Sequence, residues 1–381
     1  MDKEQKTTLV RNILWGALLV VALVYGINGN HWKPFITLAI LFVISKTALL
    51  IGQAKLRKSV RTLETSLQQQ GRPSYIPKPD QINAMNNKAD AIAAEILRRC
   101  PPQPCLRFAI AHGKTPTLFD SKLGGTPYWD TSLPYPTDAK GKPMTMVMQV
   151  NFGQCPHVDP LPPTGMLQLF ISADKKVLEE GYGEDYDNPT NQANFRIIYH
   201  KQLDPTATPG RPNQYPRCET LQSTPLSAEY ALQATVAESS INQTCENFDT
   251  LAAAAIKKLF GDKMDTLDVA DYIKQILPED HRDDVDDALV LGDNPIYYGG
   301  AEGNFQMLGF PVFEQYDDRE GDTLHDTLLL QIPTLESGSV ATNNHIFHTL
   351  WGDCGSVRLF INADALRRLD FSDVRYGMQC Y

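Results

Sequence analysis

The sequence predicts an α+β fold: a duplicated β-rich repeat with a helical insert, preceded by an N-terminal two-helix transmembrane hairpin. Three observations support this: two apolar runs near the amino terminus, matching strand-like blocks in two parts of the chain, and a helical pattern between them. We divide the chain into a hairpin (1–55), a basic juxtamembrane segment and linker (56–80) and a domain (81–381). The domain comprises repeat one, the helical insert and repeat two, at about 105–205, 220–295 and 300–381.

The apolar runs are ILWGALLVVALVYGI (13–27) and FITLAILFVISKTALLIG (35–52). Each is close to the roughly 20 residues that cross a hydrocarbon core of about 30 Å. Basic residues flank the outer ends of both runs, whereas the short link between them holds only Lys33. The positive-inside rule then predicts an inner-membrane hairpin, residues 13–52, with both termini cytoplasmic. A cleaved signal peptide is the alternative, but the second run follows at once.

Charge is distributed unevenly along the chain. Of 35 basic and 45 acidic residues, nine and two lie in residues 1–61, so the remainder holds 26 and 43, a net charge of −17. Such an acidic surface repels phosphate backbones, so we expect no nucleic-acid partner. A basic protein partner fits the same charge.

The cysteine pattern argues against a disulfide framework. The number of cysteines is odd and no C-x-x-C pair occurs, which favours a reducing compartment. The seven residues are Cys100, Cys105, Cys155, Cys218, Cys245, Cys354 and Cys380.

Three pairs of blocks recur in the same order in both halves of the domain. The clearest pair, GMLQLFISAD and GSVRLFINAD, matches at six of ten positions, and each block has the length and composition of a strand. The pairs are 165–174 with 355–364, 146–150 with 328–332, and 123–129 with 308–314.

Polar residues take equivalent places inside these apolar blocks. Gln149 matches Gln331, and Gln168 matches Arg358. A polar side chain in a strand faces solvent or a cleft, or it is buried and hydrogen-bonded. We expect the four residues to line a ligand-binding cleft between the repeats.

Helical periodicity is predicted in three places. Residues 227–262 have helical periodicity, residues 266–292 contain two shorter helical stretches, and residues 81–99 form a helix before the first repeat. These segments supply the α part of the predicted fold.

The blocks KLGGTPYWD, GMLQLFISAD, YGEDYDNPTNQANFRIIYH, MLGFPVF, TLLLQI and WGDCGSVRLFINADAL with DFSDVRYGMQCY resemble the YwqG-like family of uncharacterised bacterial proteins. The resemblance covers most of residues 123–381. It implies a duplicated α+β fold and no established reaction. The helical insert and the hairpin are not expected from the simplest members.

The turn WGDCG holds the weak catalytic candidates. Cys354 could act as a thiolate nucleophile beside Asp353, with His348 or His345 as its base. A structural turn is the competing interpretation, because the first repeat has Thr164 at the place of Cys354. The sequence therefore assigns no catalytic residue.

Metal sites are weakly indicated. Cys155 and His157 lack a second pair at zinc-like spacing, and the acidic loop with Glu184, Asp185 and Asp187 lacks the remaining EF-hand positions. We expect no metal and no cofactor. Phosphate-loop, dinucleotide and hydrolase motifs are also absent, which removes the usual grounds for assigning an enzyme.

The leading hypothesis is a membrane-anchored binding protein that faces the cytosol, in one form an immunity-type protein that neutralises a basic partner. The alternative is a hydrolase or thiol-dependent enzyme centred on the Trp351–Gly355 turn. A structural or assembly factor is a third class, which predicts constitutive partners and no small ligand.

Overall fold

The computed structural model describes residues 75–209, 215–261, 268–298, 305–319, 321–338 and 345–381. Pro77–Tyr381 forms one compact unit.

The described part is dominated by one ten-stranded sheet, and a two-stranded sheet accompanies it. Every strand pairing is antiparallel. The large sheet has the order β12-β11-β8-β7-β1-β6-β2-β3-β4-β5, and β9 pairs with β10. The strands are β1 (Gln103–Ile110), β2 (Lys122–Leu123), β3 (Thr145–Asn151), β4 (Met166–Ile171), β5 (Phe195–His200), β6 (Tyr230–Ser239), β7 (Gln306–Met307), β8 (Thr327–Pro333), β9 (Leu335–Ser337), β10 (Ile346–Thr349), β11 (Ser356–Ile361) and β12 (Val374–Gln379).

The strands that carry the first two pairs of matching blocks take equivalent places in this sheet, whereas residues 124–129 and 308–314 of the third pair are not strands. One run is β2-β3-β4-β5 and the other is β7-β8-β11-β12, and the β1–β6 pair lies between them. The two central strands are exchanged: β1 pairs with β7, whereas β6 pairs with β2. Each half therefore pairs with the central strand that precedes the other half in sequence.

Successive residues of a strand point to opposite faces, and both faces of this sheet are covered. Leu167 and Leu169 of β4 and Val357 and Leu359 of β11 belong to the main hydrophobic core. The other face of each half carries a smaller apolar cluster, around Trp129 in the first half and Phe313 in the second.

Helices are few and mostly short in the described part. Only α1 and α3 exceed ten residues, and α1 packs against α3, α4 and α5. The first turn of α1 begins with Pro79, whose fixed φ suits that position. Arg98 and Arg99 lie in the last turn, where their positive charges stabilise the negative end of the helix dipole. The helices are α1 (Pro79–Arg99), α2 (Lys175–Glu179), α3 (Phe248–Phe260), α4 (Val269–Lys274), α5 (Asp287–Leu291) and α6 (Ala363–Arg367).

The predicted fold class, an α+β domain of two β-rich repeats with a helical insert, is wrong. One continuous antiparallel sheet runs through both halves, and few helices accompany it. The central pair β1–β6 joins the halves through eight residue pairs, from Gln103↔Ser239 to Ile110↔Leu232. A sheet satisfies backbone donors and acceptors between distant segments, which a local pattern does not show.

The predicted helix over residues 227–262 is wrong over its first part. Residues Tyr230–Ser239 form β6, and the helix begins only at Phe248. β6 has neighbours on both edges, β1 and β2, so its conformation is set by tertiary pairing that overrides local propensity.

The predicted transmembrane hairpin, residues 13–52, lies outside the described residues. Among the residues described, no helix has the length and apolar character needed to cross a bilayer. The longest, α1, has 21 residues but carries six charged side chains. This finding contradicts the predictions of a membrane protein with transmembrane helices and of a multi-pass inner-membrane location with both termini cytoplasmic.

Candidate functional site

Gln149 and Gln168 lie directly opposite each other on β3 and β4, and both are fully buried. The Gln149 Oε1 accepts a hydrogen bond from the Tyr128 N–H at 3.1 Å, and its Nε2 donates to the Asp120 carbonyl at 2.8 Å. The Gln168 Nε2 donates to the Tyr128 carbonyl at 2.8 Å, and its Oε1 lies 3.0 Å from the His200 Nε2. This satisfied network holds the covering loop on the sheet.

Gln331 repeats the same arrangement in the second half. Its Oε1 accepts from the Val312 N–H at 3.1 Å and its Nε2 donates to the Val312 carbonyl at 2.7 Å. The positive φ angles of Gly124 and Gly125 recur at Leu308 and Gly309, which shifts the third pair of blocks by one residue and makes Val312 the equivalent of Tyr128. The two glutamines thus bind equivalent loop residues.

Arg358 lies opposite Gln331 on β11, at the place that Gln168 holds in the first half. Its side chain is fully buried. The Nη1 atom donates to Glu314 at 2.7 Å and the Nη2 atom to Asp318 at 3.1 Å, and the guanidinium carbon lies 4.8 Å from the Phe313 ring centre. A buried charge needs such partners because desolvation opposes it strongly.

The four predicted binding residues therefore form two pairs. Four strands, β7, β1, β6 and β2, separate β8 from β3 in the sheet order. Gln149 bonds to Gln168 through a 3.2 Å contact, and Gln331 and Arg358 both bond to Ser356. A ligand-binding role for any of the four stays a prediction.

Glu184 is a third carboxylate, whose charge interacts with those of Arg358 and Asp318. Its Oε2 accepts a hydrogen bond from the Met378 N–H at 3.2 Å. Burial raises the pKa of Glu184 to about 7, and the negative charge of Asp318 adds to this, whereas the Met378 hydrogen bond and Arg358 oppose it. Glu184 therefore changes charge near neutral pH. We call Glu184, Glu314, Asp318 and Arg358 the carboxylate cluster.

Gly377 makes room for this cluster. It lies opposite Arg358 on β12, where the first half has Ile198 opposite Gln168. A Cβ at Gly377 would lie 2.7 Å from Asp318 Oδ2, closer than real contacts allow. The absence of a side chain thus lets an acid approach the buried arginine.

The cluster is short of positive charge. Three carboxylates accompany one guanidinium, and the nearby Arg319 and Arg375 are engaged with Asp317 at 2.6 Å and Asp322 at 3.5 Å. With Glu184 ionised, the four side chains carry a net charge of −2. A cation at this place would be stabilised.

Three exposed tyrosines lie close in sequence to residues of the cluster or to the strand that bonds to it. Tyr186 is two residues beyond Glu184, the Tyr316 carbonyl accepts from Gln379, and Tyr381 follows the last strand. Their exposed fractions are 69%, 56% and 77%. We call these three residues the tyrosine rim. Tyrosine supplies contact area at low entropic penalty and attracts cations with its ring face.

The Trp351–Gly355 turn is built by contacts to its neighbours. Cys354 is exposed with φ of 57°, the Gly352 N–H donates to the Tyr182 hydroxyl at 3.1 Å, and the Asp353 carbonyl accepts from the Tyr381 N–H at 3.1 Å. These contacts hold the turn in place, and a catalytic role for Cys354 or Asp353 stays a prediction.

The predicted bases are engaged elsewhere. The His348 Nε2 lies 2.9 Å from the Ser337 hydroxyl, and the His345 Nε2 lies 2.5 Å from Glu336. Within the described residues, no hydrogen bond joins either histidine to Cys354.

The structure also shows the surroundings of the residues that the sequence offered as metal ligands. The Cys155 thiol donates to the Asn151 carbonyl at 3.3 Å, and His157 is exposed. Asp185 caps its loop by accepting from Asn188, and Asp187 is exposed. In the parts of the chain that the structure describes, no group of three or more His, Cys, Asp or Glu side chains could hold a metal.

Sequence reasoning named Glu184 only as part of an acidic loop, and it missed Glu314, Asp318 and a buried lysine. An arginine inside an apolar strand requires carboxylate partners, and this signal was available at Arg358. Lys122 is buried and donates to the Thr117 and Thr126 carbonyls at 2.9 and 2.6 Å, and burial lowers its pKa to about 8. Gln306 holds the equivalent loop, so Lys122 has a structural explanation.

The fold and the site define a class: a domain built on one large antiparallel sheet, with a buried arginine–carboxylate cluster at one place on it. The chain belongs to the family described as Domain of unknown function (DUF1963), whose model matches residues 121–380. No curated protein matches the chain.

Proposed function

We propose that this protein is a binding protein that captures a basic protein partner at the carboxylate cluster and its tyrosine rim. The observation that carries the proposal is the charge imbalance of the cluster, in which three carboxylates accompany the single guanidinium of Arg358. A lysine or arginine side chain of a partner would complete the pairing.

The charge of the chain supports the same partner. Residues after 61 carry a net charge of −17, and such a field attracts basic proteins and speeds their association. One form of this proposal is an immunity-type protein that binds and neutralises a basic toxin.

We also propose that the chain is a YwqG-like member of its family. Its support is the set of matching blocks, among them KLGGTPYWD and WGDCGSVRLFINAD. Both blocks lie within the residues matched by the family.

The test is binding of fluorescein-labelled hexalysine to the full-length chain, followed by fluorescence anisotropy at low salt. We expect Asp318→Asn to weaken binding about tenfold, roughly 1.4 kcal/mol, because one charge is lost and Arg358 is left less neutralised.

The matched control is Glu180→Gln. The Glu180 side chain is exposed and pairs with Lys176, so this variant removes the same charge without removing a partner of Arg358. We expect a change of less than about twofold. Equal losses in the two variants would show attraction by net charge alone and would contradict a specific site.

A further inference from the structure

One edge of β6 is left open by the strands around it. β6 runs over Tyr230–Ser239, but β2 pairs with only its first two residues, Tyr230 and Ala231. On the other edge, β1 pairs with β6 over eight residues. Within the described part of the chain, residues 233–238 therefore have a strand on one side only, and we call them the open edge.

The backbone groups at the open edge follow from the alternation of an antiparallel ladder. The Leu232 N–H donates to the Ser121 carbonyl at 2.9 Å, on the side away from β1. Alternate residues direct their N–H and C=O groups to the same side, so Ala234 and Val236 also face away from β1. Among the residues that the structure describes, none accepts a hydrogen bond from the N–H of Ala234 or Val236.

The open edge is accessible to a partner. The Val236 side chain is 54% exposed, and Gln233, Thr235 and Glu238 are exposed as well. The stretch 233–238 reads QATVAE, with one charge, no proline and no glycine. A stretch of this composition is suited to pair with another strand.

Other edges of the large sheet are protected. At one end of the sheet, the Tyr376 N–H of β12 donates to the Pro189 carbonyl at 2.9 Å. At the other end, the Ile197 N–H of β5 donates to the Gln192 Oε1 at 3.0 Å. On β1, Pro104 lies at a position directed away from β6 and has no N–H to offer. Natural sheets blunt their edges by such devices, so an edge without them indicates a pairing surface.

We propose that the open edge of β6 is a dimer interface, where two copies of this chain pair their β6 strands antiparallel about a two-fold axis through Val236. Residues that face outward form the hydrogen-bonded pairs, so Val236 lies opposite the partner's Val236 and Ala234 opposite the partner's Glu238. These pairs supply on the order of six main-chain hydrogen bonds. The Glu238 carbonyl already accepts from Arg107 at 3.4 Å and uses its second lone pair.

A second copy of the chain fits this edge because the register is self-complementary. Glu238, the one charged residue of the stretch, lies opposite the partner's Ala234, so no like charges meet. Two β-branched side chains meet on the axis, which is a favourable cross-strand pair. The interface uses no residue of the carboxylate cluster, so it goes beyond the proposed function.

The charge of the chain predicts how the dimer responds to salt. Residues after 61 carry a net charge of −17, so two copies repel each other at long range. Salt screens this repulsion, with a Debye length of about 10 Å at 0.1 M. The dimer therefore strengthens as salt rises, whereas capture of a basic partner weakens.

The experiment is sedimentation velocity of the full-length chain between about 1 and 100 μM, at about 0.05 and 0.5 M salt. We expect a monomer–dimer equilibrium that shifts toward the dimer at the higher salt concentration. Val236→Lys places two like charges opposite each other on the axis and should raise the dimer dissociation constant at least about tenfold.

The matched control is Ile346→Lys. Ile346 lies on another strand, β10, and is 53% exposed, so the variant adds the same charge at equal exposure outside the open edge. We expect a change of less than about twofold. Val236→Pro is a second variant, because it removes an N–H that makes no bond within the described residues, and it should also abolish the dimer. Melting temperatures of all variants check folding.

Cross-linking tests the register. Two residues of a hydrogen-bonded pair have Cα atoms about 5.5 Å apart, within the range that a disulfide spans. Val236→Cys should therefore give a covalent dimer with oxidised glutathione, in a Cys354→Ser background that removes the exposed native thiol. Ile346→Cys in the same background should not.

Three results would overturn the dimer interface. The first is a chain that stays monomeric at every concentration and salt tested. The second is a dimer that Val236→Lys and Ile346→Lys affect equally, since its interface then lies elsewhere. The third is a dimer that dissociates as salt rises, since opposite charges then hold it together.

Discussion

Arg358 and Gln168 occupy equivalent positions in the two halves, yet they create different local chemistry. Gln168 closes a neutral amide network with Gln149 and His200, in which burial lowers the His200 pKa and keeps the ring neutral. Arg358 instead requires Glu314 and Asp318. One residue thus changes a satisfied structural network into a charged site.

Cysteine reactivity tests the competing thiol-enzyme hypothesis. Cys354 is exposed and has no hydrogen bond from His345 or His348 in the described part of the chain. We therefore expect iodoacetamide to alkylate it at about the rate of a free cysteine at neutral pH. Burial raises the pKa of Cys218 to about 12 and that of Cys245 to about 11, so both should stay unmodified in the native state.

Time-resolved peptide mass spectrometry measures these rates, with Cys354→Ser as the control. A rate for Cys354 at least about tenfold above that of free cysteine, lost in His348→Ala, would contradict the structural interpretation of the turn.

At the scale of elements, the last strand depends on the Trp351–Gly355 turn. The register of β11 with β12 runs from Ser356↔Gln379 to Ile361↔Val374, and the turn lies just before this pair. Cys380 and Gln379 pack against Gly355. Because Met378 in the same strand bonds to Glu184, the position of β12 also shapes the carboxylate cluster.

Gly355→Ala tests this coupling. The added Cβ would overlap the Gln379 carbonyl oxygen and lie 2.6 Å from the Cys380 Cα, so the strand end must move. We expect a loss of about 3 kcal/mol in the free energy of unfolding, measured by urea denaturation.

Gly153→Ala is the matched control for this substitution. The added Cβ would lie 3.3 Å from the Asn151 Oδ1, which a shift of a few tenths of an ångström relieves, so we expect a change below about 1 kcal/mol. Similar losses in both variants would show that the β12 end tolerates displacement.

At the scale of the whole molecule, the exchange of β1 and β6 joins the two halves. β1 pairs with β6 over eight residues and also with β7. The family match begins at residue 121, beyond β1. The matched region alone therefore leaves one long edge of β6 and the outer edge of β7 without a partner.

Fragments test the need for β1. We expect residues 77–381 to unfold cooperatively in urea, since they form one compact unit. Residues 121–381 should aggregate or lack a cooperative transition, because the unpaired edge of β6 is exposed. Residues 101–381, which keep β1 but lose α1, separate the strand from the helix and should retain the transition at lower urea. A cooperative 121–381 fragment would contradict this account.

The sequence by itself located β3 and β4 in the first half, β8 and β11 in the second half, and the equivalence of their polar positions. Short apolar blocks such as MVMQV and LLLQI carry that information locally, because composition and bounding turns suffice to indicate a strand. It also indicated that a polar residue at Arg358 must find partners or solvent.

The tertiary structure alone decided the conformation of Tyr230–Ser239 and the composition of the site. β6 is a strand because β1 and β2 lie on its two edges, and those partners are distant in sequence. The charge of Glu184 interacts with that of Arg358, 174 positions away in sequence, for the same reason. Pairing between segments is set by backbone hydrogen bonds and burial of the whole sheet, which no local pattern contains.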